Sequence, residues 1–346
     1  MADPQTTRLR ICLAASGGGH LRQILDLAPF WERYDHYFVT EPTPLAESLA
    51  ADHRVRTVPH FALGQAKVQS TGVLIASAVR NLIAAWRHAR EERPDLVIST
   101  GAGSAFFPVL FARLFGAKFV LIESFARVHR PSLFGRLARP FANKVVVQSA
   151  HLLDMWPNSE LCDPLVLLGP TNEHKDDLGF VTVGTVMPFD RLVNAVAALP
   201  EGRGRPSHIV AQVGGGGAMP DGLEGHERMG FDEIQRLLSR ANIVFCHGGT
   251  GSLVTALRVG CRVVAMPRRP DLGEHYDDHQ REIVTAFAAH GLIEVAEGPG
   301  DLQAALERAL NATPQRATTD PSKLISRLDV FVTEWFMEKI SAPLSY

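Results

Sequence analysis

The stretch AASGGGHLRQILDL, residues 14–27, sets three glycines directly before a histidine. An apolar run, RICLA, precedes it, and leucine and isoleucine at helical spacing follow, so the glycines occupy a strand-to-helix turn. Gly18 and Gly19 let a ligand approach the backbone, and His20 offers an imidazole able to take a proton near neutral pH. Two further turns share this character: Gly101-Ala102-Gly103-Ser104, and His247-Gly248-Gly249-Thr250-Gly251-Ser252. Helix amino termini direct free N–H groups at phosphate oxygens, and Thr250 and Ser252 add hydroxyl donors that suit a diphosphate. A nicotinamide or flavin fingerprint is incomplete, because G-x-G-x-x-G would need glycine where Arg22 stands, although Glu41 ends the next strand as that motif requires.

Two other groups carry candidate chemistry. Glu123 ends the strand KFVLIE, where a carboxylate can take a proton or hold an acceptor hydroxyl, so His20 and Glu123 are alternative catalytic bases. In PRRPDLGEHYDDHQRE, residues 267–282, Arg268 and Arg269 suit a carboxylate or phosphate clamp, and His279 and Gln280 offer hydrogen bonds at a helix start. No D-x-D motif occurs, and the histidines and aspartates of 275–279 match no common zinc spacing. Neither a metal nor another cofactor is therefore expected.

These residues need a scaffold. RLRICLAAS, DHYFVTE, PDLVIST, AKFVLIES and KVVVQS read as strands, with helices between them, including 104–115 and a segment near 132–141. The rhythm restarts at LGFVTVGTV, which holds Thr185, and continues through HIVAQVG, ANIVFCHGG and CRVVAMP. Residues 94–123 echo 241–267 as strand, Gly-rich turn, helix and strand. The reading is α/β: two doubly wound domains facing across a cleft, 1–170 and 171–321, joined near 166–177, with an amphipathic helix over 322–340 packing back on the first.

The length of 346 residues fits two domains. The net charge of −2 excludes a nucleic-acid binder by charge alone, yet the halves differ. Residues 1–170 carry 18 basic against 14 acidic side chains, a net +4; the remainder carry 17 against 23, a net −6. Cys12, Cys162, Cys246 and Cys261 lack disulfide or metal spacing and read as buried thiols of a cytosolic protein. The amino terminus has no signal-peptide pattern, and no apolar run is long enough to span a bilayer. Basic and apolar residues alternate over 73–90, around Trp86, and over 124–144, with Arg127, Arg130, Phe134 and Arg136. That mixture suits an anionic bilayer surface or a lipid diphosphate.

The first half resembles the membrane-recruiting subunit of the eukaryotic transferase that adds the second GlcNAc to dolichyl-diphosphate-GlcNAc, through SGGGHLRQIL, RPDLVISTGAGS and IESFARVHRPSLFGRLARPFANKVVVQ. The second half resembles the catalytic partner subunit, through FVTVGT, HGGTGSLVTALRVG and DDHQ. The bacterial lipid II-forming GlcNAc transferase has a similar layout. Among exopolysaccharide enzymes, the chain is most similar to β-1,4-glucuronosyltransferases of sphingan and rhizobial polymer assembly. The resemblance implies a GT-B fold and inverting transfer from UDP-glucuronate to the 4-hydroxyl of glucosyl-diphospho-undecaprenol at the inner face of the cytoplasmic membrane. His247, Gly248–Ser252, Arg268, Arg269, His279, Gln280 and Thr185 would bind the donor. Gly18, Gly19, Gly101, Gly103, Ser104 and Arg127 would bind the acceptor, and Trp86, Arg130, Phe134 and Arg136 would meet the membrane. One departure is Thr255, which stands where such enzymes carry a ribose-binding glutamate. Alternatives are GlcNAc or glucose transfer by the same fold, a UDP-sugar 2-epimerase, and a non-catalytic membrane scaffold.

Overall fold

The computed structural model describes residues 9–61, 71–184, 187–275 and 277–340. The chain divides into two compact units: one runs up to Pro164 and resumes at Pro321, and the other is Leu165–Asp320.

The first unit contains strands β1 (Arg10–Ala15), β2 (Asp35–Thr40), β3 (Val55–Thr57), β4 (Leu96–Gly101), β5 (Lys118–Ile122), β6 (Lys144–Val147) and β7 (Glu160–Leu161). Its helices are α1 (Gly19–Leu25), α2 (Ala28–Trp31), α3 (Pro44–Leu49), α4 (Thr71–Glu92), α5 (Phe106–Leu114) and α6 (Leu133–Ala138). The sheet is parallel in the order β3-β2-β1-β4-β5-β6-β7. Its central strands β1 and β4 are buried and continuously apolar at their cores, as strands covered on both faces must be. Leu21, Ile24, Phe30 and Trp31 of α1 and α2 cover one face, and Val109, Ala112, Phe134 and Ala138 of α5 and α6 cover the other.

The single helix expected from GGHLRQILDLAPFWERY is two, because Pro29 has no N–H for the carbonyl four residues back and its ring clashes there, so it fits only in the first turn of a new helix. Similarly, α6 ends at Ala138 and passes into a 3₁₀ turn, Arg139–Phe141, at Pro140.

The second unit contains β8 (Leu165–Pro170), β9 (Asp176–Thr182), β10 (His208–Gln212), β11 (Glu224–His226), β12 (Ala241–Cys246), β13 (Arg262–Ala265), β14 (Glu294–Val295) and β15 (Gln315–Thr319). Its helices are α7 (Asp190–Ala197), α8 (Phe231–Arg240), α9 (Thr250–Arg258), α10 (His279–Ala289) and α11 (Leu302–Asn311). The main sheet, β11-β10-β9-β12-β13-β14, is parallel and repeats the winding of the first. The echo between 94–123 and 241–267 falls on equivalent pieces, β4–α5–β5 and β12–α9–β13. The expected boundary after residue 170 moves to after residue 164, because β8 forms an antiparallel ladder with β15. The last helix, α12 (Ser322–Ile340), belongs to the first unit, where Leu324, Leu328, Phe331 and Val332 enter the core beside α1 and α2.

Candidate functional site

In a sheet wound in this order, the open crevice lies beyond the carboxyl ends of the two strands where the winding reverses. In the first unit these are β1 and β4. The turn after β1 is tied to the end of β4 by Ser16 N donating to Gly101 O at 2.8 Å. His20, in the first turn of α1, is partly exposed and shares a hydrogen bond between Nδ1 and Thr100 O at 2.8 Å. Because the carbonyl only accepts, Nδ1 carries the proton and Nε2 is the basic nitrogen. Thr100 Oγ1 donates back to His20 O at 2.9 Å, which fixes the ring's base. Gly18 has φ 75°, and a Cβ at either Gly18 or Gly19 would meet nothing within 4 Å. Gly101 has φ 97°, and a Cβ there would lie 3.1 Å from Phe134 Cδ1 and 3.6 Å from His20 Cε1. Gly103 and Ser104 form the 3₁₀ turn before α5, where Ser104 is buried with its hydroxyl against that of Ser16.

Glu123 is buried, and its carboxylate is occupied. Ser124 N donates to Oε1 at 3.1 Å, and Ser132 donates to Oε2 through its N at 3.1 Å and its Oγ at 3.2 Å. Ser132 Oγ in turn accepts from Gly135 N at 2.8 Å, the amino-terminal cap of α6. Gly135 has no Cβ for good reason: one would collide with Glu123 Oε2 and with Trp156. Burial pushes the Glu123 pKa up, against the hydrogen bonds from Ser132 and Ser124. The carboxylate thus fastens the loop 124–132, which carries Arg127 and the exposed Arg130, to the end of β5.

Glu41, noted in the sequence only as the acidic end of the second strand, and Gln148, which the sequence did not mark, join this region. Glu41, after β2, accepts from Gly17 N at 3.3 Å and pairs with His60 Nδ1 at 2.6 Å. Burial raises its pKa, but His60 and Ser104 outweigh that and hold it below the usual carboxylate range. Gln148, after β6, donates to Glu123 O at 2.8 Å and to Gln23 Oε1 at 3.1 Å.

In the second unit the winding reverses at β9 and β12. His247 follows β12 and is nearly inaccessible, its Nδ1 lying 3.4 Å from Thr182 O. Glycines bracket its ring. A Cβ at Gly184 would lie 2.8 Å from His247 Cε1, and one at Gly249 would strike Nε2. Burial, then the charge of Arg268, pushes the His247 pKa down to about 3. The imidazole is therefore neutral packing for the turn. Gly248 has φ 78° and sits against Val284 and Gln280 of α10. Thr250, Gly251 and Ser252 open α9, whose first turn has no side-chain cap and no acidic residue. This leaves N–H donors and two hydroxyls at the positive end of a nine-residue helix. Thr255 turns its hydroxyl back to Gly251 O at 2.6 Å.

The expected arginine clamp is corrected. Arg268 is buried and its Nη2 donates to Val183 O at 2.8 Å and Met187 O at 2.6 Å, so it braces the loop after β9. Burial lowers its pKa to about 10. Arg269 is exposed and paired with Asp271. Gln280 accepts from Arg268 N at 3.1 Å, and His279 pairs with Asp277. Thr185 lies outside the described residues.

The membrane set is also sorted by exposure. Phe134 is corrected to a core residue, 7% exposed, because its ring packs on Gly101. Trp86 is 42% exposed, under the guanidinium of Arg90, and Val73, Ile75, Val79, Leu82 and Ile83 continue its stripe along α4. Leu133, Leu137 and Phe141 are exposed with Arg130 and Arg136 around α6. No helix among the described residues is long and apolar enough to cross a membrane.

Comparison with known proteins finds a family match in each part. Residues 179–330 match the glycosyltransferase family 28 C-terminal domain, and residues 47–165 match the oligosaccharide biosynthesis protein Alg14-like family. The chain is similar to MurG of Acinetobacter baumannii with a TM-score of 0.60 and 16% identity, covering 93% of this chain and 99% of that one. The fold is GT-B, with an Alg14-like first half and a family 28 second half. A curated relative, the UDP-N-acetylglucosamine transferase subunit ALG14 of Kluyveromyces lactis, is 30% identical over 112 residues, 30% of this chain. The chain spans about half the length of that relative, 48%. UDP-GlcNAc 2-epimerase from Methanocaldococcus jannaschii shares the GT-B scaffold at a TM-score of 0.61 and 12% identity, covering 94% of this chain and all of its own.

Proposed function

We propose that the chain is an inverting glycosyltransferase that moves a hexosyl group from a UDP-sugar to a sugar hydroxyl on a polyprenyl diphosphate. The uncapped start of α9 behind Gly248 and Gly249, inside a family 28 domain, carries the reading, since it suits a diphosphate leaving group. His20 Nε2 takes the acceptor proton as the hydroxyl attacks the anomeric carbon, and Thr100 O stabilises the proton already on Nδ1. Glu123 is a positioning residue that holds the 124–132 loop for the acceptor. The α4 stripe with Trp86 and its arginines, together with the exposed residues of α6, meets the anionic membrane surface where a lipid-linked acceptor resides.

UDP-glucuronate to glucosyl-diphospho-undecaprenol is the donor and acceptor pair supported by the exopolysaccharide-enzyme resemblance. GlcNAc transfer is the second reading: the ALG14 subunit favours it, and the engagement of Arg268 with backbone removes one expected carboxylate clamp. The test is incubation of the purified chain with polyprenyl-diphosphate-glucose and each donor, reading the mass of the lipid product. A glucuronyl increment supports the first reading and an N-acetylhexosaminyl increment the second. An unchanged lipid with every donor refutes both.

A further inference from the structure

A third cluster lies at the entry to α10 and shares His279 with the residues expected to bind the donor. His275, Asp277 and His279 alternate along the chain, and one ligand atom from each lies within 4.8 Å of the others. His275 Nδ1 is 3.1 Å from Asp277 Oδ1, and His279 Nδ1 contacts the same oxygen. The imidazoles are 4.8 Å apart at 68°, so they converge on the carboxylate without stacking on each other. All three side chains are mostly withdrawn from solvent, at 9%, 28% and 17% exposure.

The segment is held at both ends. Arg191 grips Glu274 with two bonds of 2.7 and 2.8 Å, and Glu274 also accepts from Arg269 N at 2.8 Å. On the other side Gln280 accepts from Arg268 N. Preorganised donors of this kind lose little freedom when they close on a ligand.

The geometry points to a divalent transition-metal site, with zinc the best-suited ion, formed by His275, Asp277 and His279. Two imidazoles and one carboxylate are a donor set zinc accepts, with bonds of about 2.0–2.2 Å. Tetrahedral geometry at such bond lengths spaces neighbouring ligand atoms about 3.3 Å apart, close to the observed 3.1 Å between His275 and Asp277. Three protein ligands leave a fourth position for water or an anionic oxygen. The cation would replace the contacts that now hold His279 Nδ1 to the Asp277 carboxylate and His275 Nδ1 to the Asp277 backbone.

The test uses the full chain stripped of metal, titrated with Co2+ and, separately, dialysed against Zn2+. The expected results are tetrahedral Co2+ absorption bands and one retained zinc per chain. Both should be lost in the double variant H275A/H279A and weakened in D277N. They should persist in H174A/H290A, which removes two exposed histidines elsewhere in the second unit. Circular dichroism of each variant confirms that it has folded. No zinc retained by the wild type, or equal retention in H275A/H279A, overturns the site and leaves the cluster as local hydrogen bonds only. Neither readout depends on sugar transfer, so failure here leaves the transferase reading standing.

Discussion

Acidification should weaken the second unit through one residue, His247. Its pKa falls from an ordinary 6.5 to about 3 because burial disfavours the imidazolium and Arg268 repels it. The unfolded chain therefore binds a proton that the folded chain refuses. Stability from this group is intact above about pH 6.5 and is lost as pH falls toward about 3. Between pH 7.5 and pH 5 the loss integrates to about 2 kcal/mol. H247N offers an amide near the position of Nδ1 for Thr182 O and has nothing to titrate. It should lower stability at pH 7.5, because the bracket of Gly184 and Gly249 is left underfilled. Its decline to pH 5 should be shallower than the wild type's by the same 2 kcal/mol. All four tryptophans, Trp31, Trp86, Trp156 and Trp335, are in the first unit, so fluorescence does not read this change. Hydrogen exchange of the buried amides of β9 and β12, corrected for intrinsic rates, does. Parallel pH slopes for wild type and H247N would refute the reasoning.

Five variants follow from the same geometry. E123A leaves three donors without their acceptor and should cost about 3 kcal/mol, measured by denaturant unfolding. E123Q should keep kcat within about threefold, whereas H20A should lose about 10²–10⁴-fold in a UDP-release assay; the reverse pattern would make Glu123 the base. G249A drives a methyl into the His247 ring and should destabilise the second unit by about 1–3 kcal/mol, with weaker UDP binding by calorimetry. I83A/W86A should bind anionic vesicles at least tenfold more weakly (about 1.4 kcal/mol) in sedimentation assays, with unchanged binding counting against α4 as the contact.

The strands and their order were legible because parallel strands buried on both faces are continuous apolar runs closed by glycine turns. RICLAA, LVISTG and ANIVFC are of this kind. Boundaries set by long-range pairing were not: nothing local in LVLLGP says that β15 is its partner. At the site, the Gly-rich turns and His20 stood out because their residue types admit few other uses. Arg268 misled because a guanidinium reads the same in sequence whether it faces a ligand or two backbone carbonyls. Phe134 misled because its neighbours in sequence are exposed, while the open space over Gly101 draws its ring inward. The pairing of Glu41 with His60 was missed because it spans a loop, with no spacing to mark it. The alternation of His275, Asp277 and His279 was visible, but only the fold turns their donor atoms toward one another.

Transfer and epimerisation on this fold differ in one observable: the need for an acceptor. The decisive measurement is UDP release by the purified chain from UDP-glucuronate and from UDP-GlcNAc, each with and without polyprenyl-diphosphate-glucose. The account predicts release with one of the donors only when the lipid acceptor is present, and its loss in H20A. UDP release or epimer formation that proceeds equally well without the acceptor would contradict it.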